Sequence, residues 1–125
     1  MNNLLLVAAG GAVGASLRHL VNAGSARLTT TAFPWWTIVI NILGSLIMGL
    51  LVGWLARRSG TSDALRLFVA TGMLGGFTTF SAFSLDFATL WQRGEVMGAF
   101  GYVAASVIVS LIAVFAGLWV ARILP

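Results

Sequence analysis

The chain has 125 residues, of which 59% are hydrophobic and only 8% are charged. This composition excludes a soluble domain, because an interior of this size could not cover so much apolar surface. Seven basic and three acidic residues give a net charge of +4, which suits anions near an opening but provides no dense basic face for nucleic acid. With no cysteine and one histidine, the sequence offers no thiol chemistry and no plausible hydrolytic or metal constellation, so we do not expect an enzyme.

Four long apolar segments predict an all-α integral membrane protein with a single domain at 1–125. We expect transmembrane helices at about 3–22, 33–56, 64–91 and 96–121, because about 20 apolar residues cross a hydrocarbon core of about 30 Å. No Arg or Lys precedes the first segment, so we interpret it as a membrane helix rather than a signal peptide. A polar loop is expected at 25–32, before the second segment.

The third segment contains five residues that disfavour a regular helix: Gly72, Gly75, Gly76, Thr78 and Thr79. Glycine costs about 1 kcal/mol in a helix interior, and threonine is stiff there with a hydroxyl that competes for backbone groups. We predict a break in this helix at 74–79. Non-helical backbone at membrane depth is tolerated only where protein buries it or a polar path runs beside it. The alternative is a glycine-rich face packed closely against another helix.

The arginines are nearly balanced between the two predicted sides of the membrane. One side has Arg57, Arg58, Arg66 and Arg122, and the other has Arg18, Arg27 and Arg93. This is almost no positive-inside bias, so the chain could insert in both orientations. We therefore hypothesise an antiparallel homodimer with dual topology, in which two copies of one short sequence form an inverted repeat.

Polar side chains form three stripes inside the predicted helices. They are Thr37, Asn41 and Ser45 in the second helix, Tyr102, Ser106 and Ser110 in the fourth, and Thr78, Thr79, Ser81 and Ser84 in the third, where Phe77, Phe80 and Phe83 form a neighbouring stripe. Residues four apart share a helix face, and polar groups in a membrane usually face protein or water. We interpret the stripes as a pore wall of hydroxyl and amide donors with aromatic edges between them. The alternative is interhelical hydrogen bonding and ordinary packing.

The positions of the charges favour a small anion as the permeating species. Asp63 and Glu95 fall in predicted loops, and Asp86 lies beyond the predicted break. Hydroxyl and amide donors, positively polarised ring edges and arginines at the mouths suit an anion. Carbonyls freed by a broken helix suit a cation such as Na⁺ instead. One protein could hold a structural cation and conduct an anion elsewhere.

Three sequence motifs cover most of the first three helices. They are Gly72-x-x-Gly75-Gly76-Phe77-Thr78-Thr79-Phe80-Ser81-x-Phe83-Ser84, Gly10-Gly-x-x-Gly14-Ala15-x-x-Arg18 and Pro34-Trp35-x-Thr37-x-x-x-Asn41-x-x-Gly44-Ser45. Together they resemble the Fluc fluoride channel family, also called CrcB. Length, helix count and weak charge bias agree, so the resemblance covers essentially the whole chain. The sequence departs from the family at Trp36 and Ala82, where Gly and Thr are frequent, and at Asp86, where Glu is common.

The resemblance implies a passive, fluoride-selective channel in the bacterial inner membrane, which lowers cytoplasmic fluoride by letting the ion leave the cell. It implies an antiparallel homodimer with two fluoride pores and a structural Na⁺ at its centre, held by the backbone carbonyls of Gly75 and Thr78 from both subunits. The implied pore residues are Asn41 as an amide donor, Phe80 and Phe83 as ring edges, Ser81 as a nearby hydroxyl, and Tyr102, Ser106 and Ser110 as a polar track. Arg18 would lie near an aqueous vestibule, with a helix-end anchor as an equal alternative.

Two other functions stay open on the residues alone. A small four-helix multidrug exporter has a similar size, but proton-coupled export calls for an intramembrane carboxylate in the first helix, and this sequence has none there. A non-conducting subunit of a larger membrane complex is the other possibility. It predicts that the purified chain alone carries no ion flux.

Overall fold

Four membrane-length helical segments make up the chain, which this computed structural model describes over residues 2–125. Asn3–Leu28, Trp35–Ala56, Asp63–Gln92 and Val96–Ile123 are each long and apolar enough to cross a membrane. Residues 2–125 contain no β-strand. The all-α fold class predicted from the sequence is therefore confirmed.

The first helix ends later than the sequence predicted. It runs to Leu28 rather than to residue 22, so the loop expected at 25–32 loses its first four residues to the helix. Polar composition alone does not end a helix. The Ser25 hydroxyl donates to the carbonyl of Asn22, 2.6 Å away, and the amide of Thr29 donates to the Ser25 carbonyl at 3.0 Å. The helix stops only at the β-branched threonines 29–31, which are poor helix formers.

The third span consists of two helical halves joined by two extended residues. Arg66–Leu74 is wound as a π-helix, and an α-helical turn at Gly75–Phe77 continues it. Thr78 (φ −76°, ψ 159°) and Thr79 (φ −152°, ψ 126°) are extended, and the helix resumes at Phe80–Gln92. Residues 74–77, which the sequence analysis placed inside the break, are helical. Gly76 there packs against the first helix, which offsets its low helix propensity.

Glycines bring the first helix and the first half of the third span into backbone contact. A Cβ atom on Gly72 would lie 2.9 Å from the Cα of Gly10, and one on Gly76 would lie 2.6 Å from the carbonyl oxygen of Gly11. A Cβ on Gly14 would likewise collide with the carbonyl of Met73. These two segments can approach this closely only because the side chains are absent, as is typical of helix pairs in membranes.

The second and fourth helices form a second glycine-packed pair. A Cβ on Gly49 would lie 3.0 Å from the amide nitrogen of Leu118, and one on Gly117 would lie 2.7 Å from that of Leu50. At the end of this pair, the Arg57 guanidinium donates to the carbonyls of Ala121, at 2.8 Å, and Arg122, at 3.0 Å. Since a helix C-terminus leaves its last carbonyls without internal donors, Arg57 satisfies them and holds the two helix ends together.

Candidate functional site

Asn41 connects the second helix to the extended residues of the third span. Its side-chain nitrogen Nδ2 donates to the carbonyl of Thr79 at 3.0 Å, and its Oδ1 accepts from the amide of Thr79 at 2.8 Å. The carboxamide therefore pairs with both backbone groups of Thr79, which belong to the two peptide units on either side of that residue. One N–H of the Asn41 side chain is left over from this pairing, because the amide group carries two donors.

An open groove of about 510 Å³ lies beside this pair, between the second helix, the interruption and the fourth helix. It brings together most of the residues predicted for a pathway. Its lining residues are Asn41, Gly44, Ser45, Met48, Gly75, Thr78, Thr79, Phe80, Phe83, Ser106, Val107, Ser110, Leu111 and Val114. No carboxylate is among them, and the polar groups that they present are hydroxyls, one amide and backbone atoms.

Two hydroxyls of the groove have no hydrogen-bond partner within the described residues 2–125: the Oγ atoms of Ser106 and Ser110. Both oxygens are buried, and Ser106 as a whole is only 4% exposed. A buried polar group without a partner costs about 1 to 3 kcal/mol. Two such groups lie on one helix face and line one groove, so this groove offers two hydroxyl donors to a polar or charged species.

Two phenylalanine rings stand at the same groove. Phe80 and Phe83 have their ring centroids 5.3 Å apart at an interplanar angle of 41°. Phe80 is 77% exposed, which is unusual for a large aromatic residue unless membrane, ligand or a second protein covers it. A phenyl ring carries partial positive charge on its edge and negative charge on its face, so the edge is the part that attracts an anion.

Three residues of the predicted site do not line the groove. Tyr102, which the resemblance implied for the polar track, is fully buried and donates its hydroxyl to Oδ2 of Asp86 at 2.9 Å, outside the groove lining. Ser81 is exposed at the start of the resumed helix, with its Oγ 3.4 Å from the hydroxyl of Thr79. The Arg18 guanidinium lies against the interruption, 3.5 Å from the carbonyl of Thr78, and so bridges the first helix to that peptide.

The groove also contains residues that the predicted site omitted. Ser45 belongs to the polar stripe of the second helix, so its four-residue spacing from Asn41 was a usable signal. Gly44 gave no chemical signal, yet a Cβ there would collide with the Cγ2 methyl of Thr78. Met48, Val107, Leu111 and Val114 form the apolar part of the lining, and they resemble ordinary lipid-facing residues in the sequence.

The backbone carbonyls of Gly75 and Thr78 are the predicted ligands of a cation. The interruption frees carbonyl groups, because the Thr79 amide, which a continued helix would direct to the Gly75 carbonyl, donates to Asn41 instead. Such oxygens suit a hard cation. The described part of the chain has no group of three or more His, Cys, Asp or Glu side chains that could hold a metal. The residues therefore fit a cation only through backbone oxygens, and the Arg18 guanidinium at Thr78 is the one feature that opposes it.

Comparison with known proteins places this architecture among ion channels. Residues 5–118 match the family described as CrcB-like protein, Camphor Resistance (CrcB). The chain is 62% identical to the Fluoride-specific ion channel FluC of Mesorhizobium japonicum over the whole of both sequences. It is 56% identical to the channel of the same name from Chelativorans sp., over 98% of each chain. It is also 52% identical to that of Sphingopyxis alaskensis, over 100% of this chain and 99% of the relative.

Proposed function

This chain belongs to the CrcB-like protein family, and from that premise we propose that it is a passive channel selective for fluoride. It is a multi-pass membrane protein, with four helices of membrane-spanning length and composition. Relatives named as fluoride-specific ion channels over the full length of the chain support a transport function and not an enzymatic one.

The observation that carries the proposal is the pair of unpartnered hydroxyls of Ser106 and Ser110 in the groove beside Asn41. Fluoride is small and strongly hydrated, so a pathway must replace its water shell with hydrogen-bond donors. Each site must still bind the ion weakly enough for the ion to leave. Two free O–H donors and one free amide N–H supply such contacts. The ring edges of Phe80 and Phe83 add weak positive potential without binding the ion tightly.

The chemistry of the groove favours an anion over the cationic substrates of a small multidrug exporter. Its lining contains no acidic side chain, whereas a cation pathway uses rings of carboxylates or a filter of carbonyls. The carboxylate of Asp86 is committed to the Tyr102 hydroxyl outside the lining. We therefore place fluoride, not a cation, along the row Asn41, Phe80, Phe83, Ser106 and Ser110.

We further propose that two copies assemble as an antiparallel homodimer of dual topology in the bacterial inner membrane. The groove is open along one side and its Phe80 ring is 77% exposed, so a single chain leaves the pathway unenclosed. Nearly balanced arginines permit insertion in both orientations. A passive channel follows the fluoride gradient, so it would lower cytoplasmic fluoride whenever the inside concentration is higher.

The break in the third helix is proposed as the place where the two copies meet around a structural Na⁺. The carbonyls of Gly75 and Thr78 from each copy would hold the ion, which supplies positive charge that ties the two interruptions together. Arg18 keeps the first helix beside the Thr78 peptide. It would also place positive charge near a vestibule, where anions arrive.

Fluoride efflux from liposomes tests the function directly. Purified protein is reconstituted into vesicles loaded with potassium fluoride, valinomycin is added, and a fluoride electrode follows the release. Vesicles loaded with potassium chloride are the matched control. Rapid fluoride release with little chloride release supports the channel. Release of neither ion from protein that elutes as a dimer would reject it in favour of an exporter or a partner-dependent subunit.

Topology tags test the assembly separately from the flux. A reporter fused to the C-terminus, active in only one compartment, is compared with a reporter active in the other. We expect signal from both, in similar amounts. Signal from one compartment alone would reject dual topology, while leaving fluoride conduction to be judged by the efflux assay.

A further inference from the structure

A row of four aromatic rings leads from the groove to the start of the second helix. Phe83 stacks on Tyr102, with ring centroids 5.3 Å apart and an interplanar angle of 23°. Tyr102 meets the ring of Phe33 edge to face, at 5.9 Å and 82°. Phe33 in turn packs on Trp35 at 4.6 Å. Only Phe83 in this row lines the groove.

Tyr102 is held firmly at the centre of this row. It is fully buried, and its core neighbours Ile38, Leu90 and Ala99 are buried as well. Its hydroxyl donates to Oδ2 of Asp86 at 2.9 Å. The single proton of the phenol is therefore used, and only lone pairs are left on that oxygen. In this arrangement the Tyr102 hydroxyl has no proton left to donate to an anion.

We propose that Phe33 and Tyr102 form a clamp that fixes the orientation of the Phe83 ring, and that both are positioning residues for the pathway. The proposal rests on the proposed function for what the ring does. A phenyl edge attracts an anion and a phenyl face repels it, so rotation of the ring would change the sign of the interaction. Stacking on Tyr102 covers one face of Phe83, which leaves its edge and opposite face for the groove. The edge contact with Phe33 holds the Tyr102 ring in this position.

Substitutions of Tyr102 separate a positioning role from a role as ion donor. Tyr102→Phe keeps the stacked ring and removes the hydroxyl, whereas Tyr102→Leu removes the ring as well. If the ring positions Phe83, the Phe variant keeps fluoride efflux within about threefold of the parent, and the Leu variant loses about tenfold or more. Equal losses in the two variants would overturn the clamp, because they would show that the hydroxyl matters and the ring does not.

Phe33 provides a second test, since it does not line the groove and cannot contact the ion there. Phe33→Leu should lower fluoride efflux by about threefold to tenfold, because Tyr102 loses its edge contact. The matched control is Phe100→Leu, which disturbs the ring contacts of Phe100 with Phe87 and Trp91 rather than the ring contact of Tyr102, and which should leave efflux within about twofold of the parent. Equal efflux for the two Leu variants would contradict the proposal.

The rotation of the Phe83 ring can be measured by NMR, independently of the fluoride efflux assay. In protein with carbon-13 labelled phenylalanine, the Phe83 signals are assigned by their loss in Phe83→Leu, and line shapes report the ring-flip rate. We expect slow flips in the parent and in Tyr102→Phe, and faster flips in Phe33→Leu and Tyr102→Leu. Unchanged flips in both Leu variants would overturn the clamp. A parent with no fluoride efflux but with these flip rates would keep the clamp and reject the proposed function.

Discussion

Residues 72–79 contribute to two regions with different packing, a close contact with the first helix and an open groove. Gly72 and Gly76 face the first helix, where added Cβ atoms would lie 2.9 Å from the Cα of Gly10 and 2.6 Å from the carbonyl of Gly11. Gly75, by contrast, lines the groove together with the two extended threonines, on the side of the second and fourth helices. One short segment is therefore packed closely against the first helix on one side and lines an open groove on the other.

The two regions differ in whether this chain satisfies its own polar groups. On the glycine-packed side, backbone atoms of the first helix fill the space that side chains on Gly72 and Gly76 would occupy. The groove contains two buried hydroxyls without partners and a ring that is 77% exposed. Small residues in the third span therefore serve close packing on one face, and on the other face they line the groove that we propose for the ion.

Filling the glycine-packed side should have the largest effect. Gly14→Leu places a side chain where its Cβ alone meets the carbonyl of Met73 and the amide of Phe77, both backbone atoms that cannot move aside. Overpacking of this kind costs about 1 to 3 kcal/mol or more, so we expect loss of monodisperse protein in mild detergent. Gly24→Leu is the control, because a Cβ there has no atom within 4 Å. Equal yield and equal thermal unfolding of the two variants would show that the close contact is unimportant.

A carboxylate at the interruption should abolish conduction without unfolding the protein. Asn41→Asp keeps the acceptor for the Thr79 amide, removes the donor to the Thr79 carbonyl, and adds negative charge beside the path of an anion. We expect fluoride efflux to fall by about a hundredfold or more, while the dimer still elutes intact. Asn3→Asp, at the exposed start of the first helix, controls for the added charge. Normal efflux from Asn41→Asp would remove this residue from the pathway.

Replacing the ring edges should slow fluoride severely without stopping assembly. Phe80→Ile and Phe83→Ile each remove an aromatic ring, and with it a positively polarised edge, from the residues that line the groove, and we expect about a tenfold loss of efflux in each. Phe115→Ile is the matched control, since Phe115 is 67% exposed on the fourth helix and lies outside the groove. Parent-like efflux from both groove variants would refute the aromatic assignment.

The four helices, and the polar and aromatic residues that line one groove, could be predicted from the sequence because both follow from local pattern. The length of each apolar segment predicts a membrane-spanning helix. The four-residue spacing between Asn41 and Ser45, and between Ser106 and Ser110, places each pair on one helix face. The end of the first helix was missed because a polar loop and a polar helical turn have the same composition. Ser25 and Thr29 decide between them through hydrogen bonds that composition does not specify.

The role of Tyr102 could not be predicted for a related reason. Its spacing from Ser106 places it on the same helix face as the groove serines, and the sequence contains no signal for the bond that turns its hydroxyl toward Asp86. That pairing depends on how the third span packs against the fourth helix after the interruption. Side-chain direction along one helix is a local property, whereas the partner that satisfies a hydroxyl is set by the whole fold.

The double variant Ser106→Ala, Ser110→Ala tests the central claim most directly, although its expected effect on efflux is smaller than those of Asn41→Asp and of the two phenylalanine variants. Removing two buried hydroxyls without partners should leave the protein equally stable or more stable, because each unsatisfied group costs about 1 to 3 kcal/mol. Fluoride efflux should nevertheless fall by about fivefold to tenfold, since the ion loses two donors. Ser16→Ala, on the exposed surface of the first helix, is the control. Lower efflux with an unchanged or higher melting temperature is the predicted result, and parent-like efflux from the double variant would contradict the account.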